Sequence, residues 1–426
     1  MSDHGPGCGC CHRPDTRDID EIRARIKRVY GPEERLSRRS FLKTVGAVAT
    51  TGILAGCLGA SDADNERVAN VAGIDDTPLE IKGRLVVGEG MDVIEGTIHV
   101  EDGRIMRIVE EGVESDDIII PAFVNTHTHI TDSVAKDGAR ARDYSWEELF
   151  IDPGLKGEYL ETADQDEKRE AMDRTLQFMK ETGTGTFADF KEEGIQGVKD
   201  LNVVDESRKV DAVPLFQGEY LTEDDDLRAE IERAGGYQSY YPWNEQDERA
   251  REICDELGKV FALHSGEPGP DDIDDALALN PDYTSHMVHT REEDYEVLEN
   301  NNIGISALPR SNLVILDKLP PLERLHEHTT VALGTDNVML NSASMLREME
   351  FTSKLFDIRP CEVLQMATIN GAKLMHRANE IGSIEEGKRA RLTIIDTSRE
   401  LKELRDPVAG VVRRATARDV KETVLL

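Results

Sequence analysis

The sequence predicts an α/β chain whose larger part is a (β/α)8 TIM barrel. Two observations carry this. Short apolar runs between residues 118 and 337 end in polar tips, with helical segments between them. Strands alternating with helices build a parallel sheet. The tips hold histidine, glutamate and aspartate, and such residues at the C-terminal ends of several strands mark a barrel with its chemistry on that face.

The first of these runs is the most informative. Ile118 to Ile120 lead through Pro121-Ala122-Phe123-Val124-Asn125-Thr126 to His127-Thr128-His129, which reads as one buried strand. Alternate side chains share a face of a strand, so both imidazoles point the same way. Alone, such a pair reads equally as ordinary polar loop residues; as neutral imidazoles they make half of a first-row metal site. The remaining runs supply further donors. Val260 to Leu263 lead into His264-Ser265-Gly266-Glu267, Thr284-Ser285 into His286-Met287-Val288-His289, and Val331 to Gly334 into Thr335-Asp336-Asn337. Asp247 to Leu257 and Glu292 to Asn300 carry helical apolar spacing among charges. Upstream, Leu79 to Val109 alternates apolar residues around turns at Gly90 and Asp102-Gly103, as short antiparallel strands do.

These four ordered motifs resemble the amidohydrolase superfamily, in its mononuclear, deaminase-like and chlorohydrolase-related branch, over roughly residues 78 to 426. By that resemblance His127 and His129 are the first-strand metal pair, His264 the fifth-strand ligand and Asp336 the eighth-strand ligand. Glu267 matches the proton-shuttling glutamate, and His286, rather than His289, the sixth-strand histidine beside the reacting water. The resemblance also implies a small β-sandwich formed by residues 78–120 and 378–426 around a barrel at 121–377. That barrel span of about 257 residues suits the ~250 usual for the fold. Binuclear relatives place a lysine on the fourth strand. Gly235 to Tyr241 contains none, while Lys191 and Lys199 read as solvated surface charges, so a mononuclear site is expected.

Elementary chemistry favours the same roles. Three histidines and one carboxylate leave a divalent metal open to water, whose pKa falls towards ~7. Deamination then needs a carboxylate beside the metal, not on it, to move a proton from water to a ring nitrogen or leaving amine. Glu267 suits that task, Asp336 can orient the water, and His286 can stabilise a developing alkoxide. Singly, His264 reads as a core histidine and Asp336 as a helix cap; their joint order selects the catalytic reading. Zn2+ is the first expectation and Fe2+ the second.

Substrate contacts are drawn more broadly. Trp146 either walls the pocket, as loops after a first barrel strand do, or anchors the helix that follows. Gln217 ends the third-strand run, and Asn337 follows Asp336. Gln238 stands where several relatives place a substrate-contacting histidine. Ser311 and Asn312 lie in a string like the family's seventh-strand motif, with Ala307-Leu308 in place of the usual histidine-cysteine pair. These departures leave the heterocycle unassigned. Ala390-Arg391-Leu392 replaces the family's alanine-aspartate-leucine, a change that concerns packing.

Ser37-Arg38-Arg39-Ser40-Phe41-Leu42-Lys43 resembles a twin-arginine export signal, followed by an apolar stretch from Val45 to Gly56. Leu54-Ala55-Gly56-Cys57 looks like a lipobox with Cys57 lipidated, and residues 58–77 read as a flexible linker. Export with a lipid tether is the expectation; an uncleaved extension on a cytoplasmic enzyme is its alternative. Cys8, Cys10 and Cys11 stand without a second ligand pair and read as incidental thiols. The chain carries 51 Lys and Arg against 85 Asp and Glu, a net charge of −34. Residues 1–57 contribute +3, so the acidity belongs to the enzyme portion. It resembles the surfaces of proteins from salt-loving archaea, where salt screens self-repulsion, and it argues against nucleic-acid binding.

The expectation is therefore a one-metal hydrolase that deaminates an amino-substituted heterocycle. Hydrolysis of a cyclic amide or another carbon–heteroatom bond is the alternative reaction. An exported binding protein on an inactive version of the fold is the alternative class, and Glu267 speaks against it because a binder needs no proton shuttle. The partner is a small molecule, and a homo-oligomer is compatible with the sequence.

Overall fold

The computed structural model describes residues 79–138, 140–151, 154–217, 224–240 and 245–426. The export-signal segment, Cys57 and the cysteines before it lie outside the described residues.

Strands β1 (Leu79–Val87), β2 (Asp92–Glu101) and β3 (Arg104–Glu110) form an antiparallel meander. The next strand, β4 (Ile118–Pro121), runs parallel to β1. Here the structure departs from the single strand expected over 118–129. Ala122 separates β4 from β5 (Phe123–His129), and the two belong to different sheets. The Ala122 amide donates to Arg391 O while the Phe123 amide donates to Gly183 O. The backbone changes partner at this point, just after a proline that has no N–H to donate.

From β5 the barrel continues through β6 (Thr184–Lys191), β7 (Ala212–Phe216), β8 (Gly236–Ser239), β9 (Val260–Ser265), β10 (Tyr283–His286) and β11 (Gly304–Ala307). Each pairs in parallel with the next. The eighth strand is interrupted. Its first half, β12 (Val331–Leu333), pairs with β11; its second, β13 (Asp336–Asn337), pairs with β5 and joins the end of the sheet to its beginning. Asn125 and Thr335 lock this junction reciprocally: the Asn125 amide donates to Thr335 Oγ1 at 2.8 Å, and the Thr335 backbone N–H donates to Asn125 Oδ1 at 3.1 Å. The curled parallel sheet thus fits the TIM-like α/β fold expected from the sequence.

Helices surround it for local reasons. Gln165–Glu181 starts at Asp164, whose side chain and that of Glu167 cap each other's backbone N–H groups, a capping box. It buries Ala171, Met172, Thr175, Leu176 and Met179 at helical spacing. Trp146–Phe150 begins with the same device between Ser145 and Glu148.

The flanks return through β14 (Arg391–Ile395) and β15 (Val420–Leu425) to give a six-stranded sheet ordered β15-β14-β4-β1-β2-β3. Among the described residues both flanks share this one sheet. Its period-2 alternation buries two faces: Leu85, Ile98, Ile119, Leu392 and Val424 cluster on one, while Val86, Ile118, Ile120 and Ile395 join the main core on the other. Arg391 fastens the sheet to the barrel, donating from Nη2 to Gly185 O at 2.7 Å and Lys209 O at 2.8 Å. Its replacement of an aspartate does concern packing.

The closure leaves no room at Gly334. A Cβ there would lie 2.7 Å from His127 Cβ and 2.9 Å from His127 N. Gly334→Ala should therefore cost about 1–3 kcal/mol of stability through overpacking. Urea denaturation of wild type and variant measures it, and an unchanged midpoint would contradict this account of closure.

Candidate metal and active site

The barrel's C-terminal ends bring together the residues that the sequence scattered over two hundred positions. His127 and His129 on β5, with His264 on β9, form one group of donors; Glu267, His286 and Asp336 form a second, the donor atoms of each lying within 4.8 Å of one another. All six are buried. Asp336 joins the groups, its Oδ1 standing 3.5 Å from His127 Nε2 and 3.6 Å from His129 Nε2.

The two imidazoles are held by their other nitrogens. His127 Nδ1 lies 2.7 Å from Ser285 Oγ. His129 Nδ1 faces Phe190 O at 3.0 Å and Glu192 Oε1 at 2.8 Å. Since both are acceptors, the proton sits on Nδ1 and leaves the Nε2 lone pair facing the centre. The two Nε2 atoms are 3.2 Å apart. Nitrogens bound at about 2.0–2.1 Å to one tetrahedral metal would stand about 3.3 Å apart, so the spacing suits a shared cation. His264 Nδ1 and His286 Nε2 are buried without a hydrogen-bond partner, atoms that a metal or a ligand can satisfy. The donor set therefore fits a divalent metal.

Electrostatics keep two of the three imidazoles neutral. Burial pushes His127 down to about 3 and His264 well below the usual histidine range, which keeps both neutral as ligands require. Burial also lowers His129, but Glu192 and Asp336 outweigh it and hold that imidazole above its ordinary value. For Asp336 burial acts upward, and the neighbouring histidines overcome it to keep the carboxyl well below the usual carboxylate range. Glu267 is raised by burial against the pull of His286, whose Nδ1 is 3.7 Å from Glu267 Oε1. A carboxyl with raised proton affinity beside the metal ligands is equipped to carry a proton.

The site opens into a cavity of about 630 Å³. Trp146, Phe150, Ile151 and Leu160 supply its apolar wall, and Gln217, Tyr240 and Asn337 line it with polar groups. Trp146 thus faces the pocket. The other three candidate substrate contacts are not among the lining residues. Gln238 is buried behind Gln217 and donates to its Oε1 at 2.9 Å. Ser311 donates to Asp336 Oδ2 at 2.5 Å, and Asn312 Nδ2 lies 2.9 Å from His286 Nδ1. Ser311 and Asn312, buried near the start of the helix Pro309–Leu316, hold site residues instead of lining the cavity.

Lys156, Glu192 and Tyr240 are among the lining residues that the sequence reading did not assign to the site. Glu192 directly follows β6, so the strand-tip logic that found the other groups applies to it as well. Tyr240 follows β8, and its ring stacks on His264 with centroids 4.3 Å apart. Lys191 corrects an expectation outright. It is fully buried and paired with Asp189 Oδ2 at 3.2 Å, so it is no surface charge. Lys199 is exposed as expected. The described β8 holds no lysine.

Comparison with known proteins agrees with this geometry. The model of the amidohydrolase family matches residues 118–232 and 270–425. A protein of Archaeoglobus fulgidus that carries an aminohydrolase name is 31% identical over 358 residues, covering 82% of this chain and 98% of that one. A 5'-deoxyadenosine deaminase of Methanobrevibacter smithii is 25% identical, covering 75% and 81%. Among solved structures, an adenosine deaminase from Xanthomonas campestris with bound zinc superposes with a TM-score of 0.71 at 19% identity, covering 80% of this chain and 90% of that one. That likeness bears on the fold.

Removing one donor should empty the site. His127→Ala and His264→Ala should each bring divalent metal in the purified protein well below the wild-type ratio, while Gln238→Ala should keep it. Elemental analysis of the three proteins distinguishes them; undiminished metal in the histidine variants would refute the assigned donor set.

Proposed function

This chain belongs to the amidohydrolase family, and from that premise we propose that it deaminates an amino-substituted heterocycle hydrolytically with one divalent metal. Relatives named as deaminases support a deaminase-like hydrolase acting on carbon–nitrogen bonds. One observation carries the finer reading. Glu267, raised in proton affinity, groups with His286 and the candidate donor Asp336 and lines the same cavity as His129 and His264.

In this reading those four side chains hold the metal, which we take to be Zn2+, with Fe2+ as the second choice. The metal supplies a Lewis acid that makes water nucleophilic near neutral pH. Glu267 passes one proton from the attacking water to a ring nitrogen and a second, from the hydroxyl so formed, to the departing amine. Protonation lets the amine leave as ammonia. His286 faces the oxygen that develops negative charge, and Asn312 at its Nδ1 keeps the ring in place. The apolar wall of Trp146, Phe150 and Leu160 suits the faces of a flat heterocycle and keeps bulk water out. Relatives named for deamination of deoxyadenosine and adenosine make an aminopurine or its nucleoside the first class to assay. Hydrolysis of a cyclic amide by the same groups is the second reading, since Glu267 can equally protonate a ring nitrogen that leaves.

Residues 78–120 and 378–426 are read with this as a small β-sandwich; the one six-stranded sheet they share supports a composite β-structure built from both flanks. We also propose export through Arg38-Arg39 and a lipid tether at Cys57, against a cytoplasmic alternative. Fractionation of cells expressing wild type, Arg38→Lys/Arg39→Lys and Cys57→Ser decides this. Export places wild type in the membrane fraction, the arginine variant inside and the cysteine variant released; the same soluble cytoplasmic location for all three overturns it.

For the chemistry, a panel of aminopurines, their nucleosides and aminopyrimidines is screened for ammonia release. On any substrate found, Glu267→Gln should keep its metal and lose about 10²–10⁴ in kcat. A near-normal kcat in that variant would remove Glu267 from the mechanism.

A further inference from the structure

Lys156 and Glu192 place opposite charges at the cavity, and the mechanism above uses neither. Lys156 stands on the helix Gly154–Thr162, which also carries Leu160 and continues the wall begun by Trp146 and Phe150. Its ammonium forms an ion pair with Glu192 Oε1. The same Oε1 accepts from His129 Nδ1 at 2.8 Å. The side chains of Lys156 and Glu192 are only 10% and 14% exposed, so each charge depends on the other for its solvation. The three residues come from separate places in the chain: the first strand tip, the second strand tip and the helix after the first strand.

We propose that Glu192 and Lys156 are positioning residues that fasten the helical wall of the cavity to the metal ligand His129. Glu192 keeps the proton of His129 on Nδ1 and its Nε2 turned to the centre, as carboxylates behind metal-bound histidines do. Lys156 holds Glu192 in that orientation, and through its helix it ties the wall to the ligand. Against burial, Lys156 stays charged through Glu192 and Asp132, and Glu192 stays ionised through Lys156 and His129. Phe190 O at 3.0 Å and Tyr240 Oη at 3.2 Å from the same Nδ1 are the competing anchors: if they suffice, Glu192 is dispensable. The consequence of the proposal is mutual. Metal at His129 strengthens the acid character of Nδ1–H and its bond to Glu192, so metal should order the wall, and loss of the pair should weaken the metal.

The inference rests on the metal-site reading, and the test separates the two. Zn2+ affinity of the full chain is measured by competition with a chromophoric chelator. Hydrogen exchange of residues 146–162 is followed with and without Zn2+. Wild type should bind Zn2+ and exchange more slowly over 146–162 when it does. Glu192→Leu should weaken Zn2+ by about 10- to 100-fold and abolish the slowing. Lys156→Met should abolish the slowing, and Lys156→Arg should restore it. Should either single variant fold poorly because it leaves a buried charge unpaired, the double variant Lys156→Met/Glu192→Leu removes both charges and should still bind Zn2+ at least about 10-fold more weakly than wild type. Wild-type affinity in Glu192→Leu or in the double variant overturns the proposal while the metal site stands. So does undiminished slowing in Lys156→Met. Failure of wild type to bind any divalent metal overturns the site itself.

Discussion

The barrel closes through a broken strand, and the whole site depends on that break. Between β12 and β13 the eighth strand stops pairing with its neighbour β11 and starts pairing with β5. Asp336, the first residue after the break, adopts the left-handed conformation with φ of 62°. That conformation is costly for a residue with a Cβ, on the order of 1–3 kcal/mol, and persists where surroundings over-determine it. Here they do: Ser311 bonds its carboxylate, and the adjacent Asn125–Thr335 lock fixes its backbone. The result is a carboxylate oxygen 3.5–3.6 Å from two imidazole nitrogens. One residue thus serves as hinge of the barrel and as a candidate metal donor. His286, at the end of β10, is held at φ of 73° in the same way, with Asn312 behind it.

Around this junction the fold concentrates ionisable groups that would be unfavourable apart. Four imidazoles, the carboxylates of Asp336, Glu267 and Glu192 and the ammonium of Lys156 share one buried region. Burial opposes every one of those charges, so each must be stabilised by a neighbour or remain neutral. His127 and His264 stay neutral, Asp336 and Glu192 stay ionised because cationic or imidazole partners face them, and Glu267 sits between these cases. The large acidic excess of the chain plays little part here. It is spread over exposed helices, while the site is governed by contacts shorter than a screening length.

How much of this was legible depends on whether the signal was local. His127 and His129 were readable because period-2 alternation within one strand sends both to the same face. His264, Glu267, His286 and Asp336 were readable because each ends an apolar run, and barrel strands deliver their C-terminal tips to one place. Glu192 satisfies the same rule, yet two lysines near it read as solvent-facing, and that masked the tip. Lys191 shows why such a reading fails. Period 2 along β6 puts Asp189 on the same face as Lys191, but only folding brings Thr131 alongside, and together they make a buried ammonium tolerable.

The sequence by itself determined the barrel, the order of its functional strand tips and the chemical types gathered there, because those follow from local periodicity and residue chemistry. It could not decide where the strand beginning at Ile118 changes sheets, since a continuous apolar run is equally content in either and the choice lies in the partners of Ala122 and Phe123. Nor could it tell that Trp146 faces the cavity while Ser311 and Asn312 stand behind the reactive groups. The joining of Lys156 to Glu192 and His129 was also beyond it. Each of these is a contact between segments distant in the chain, and such contacts exist only once the tertiary fold has brought the partners together and excluded the water between them.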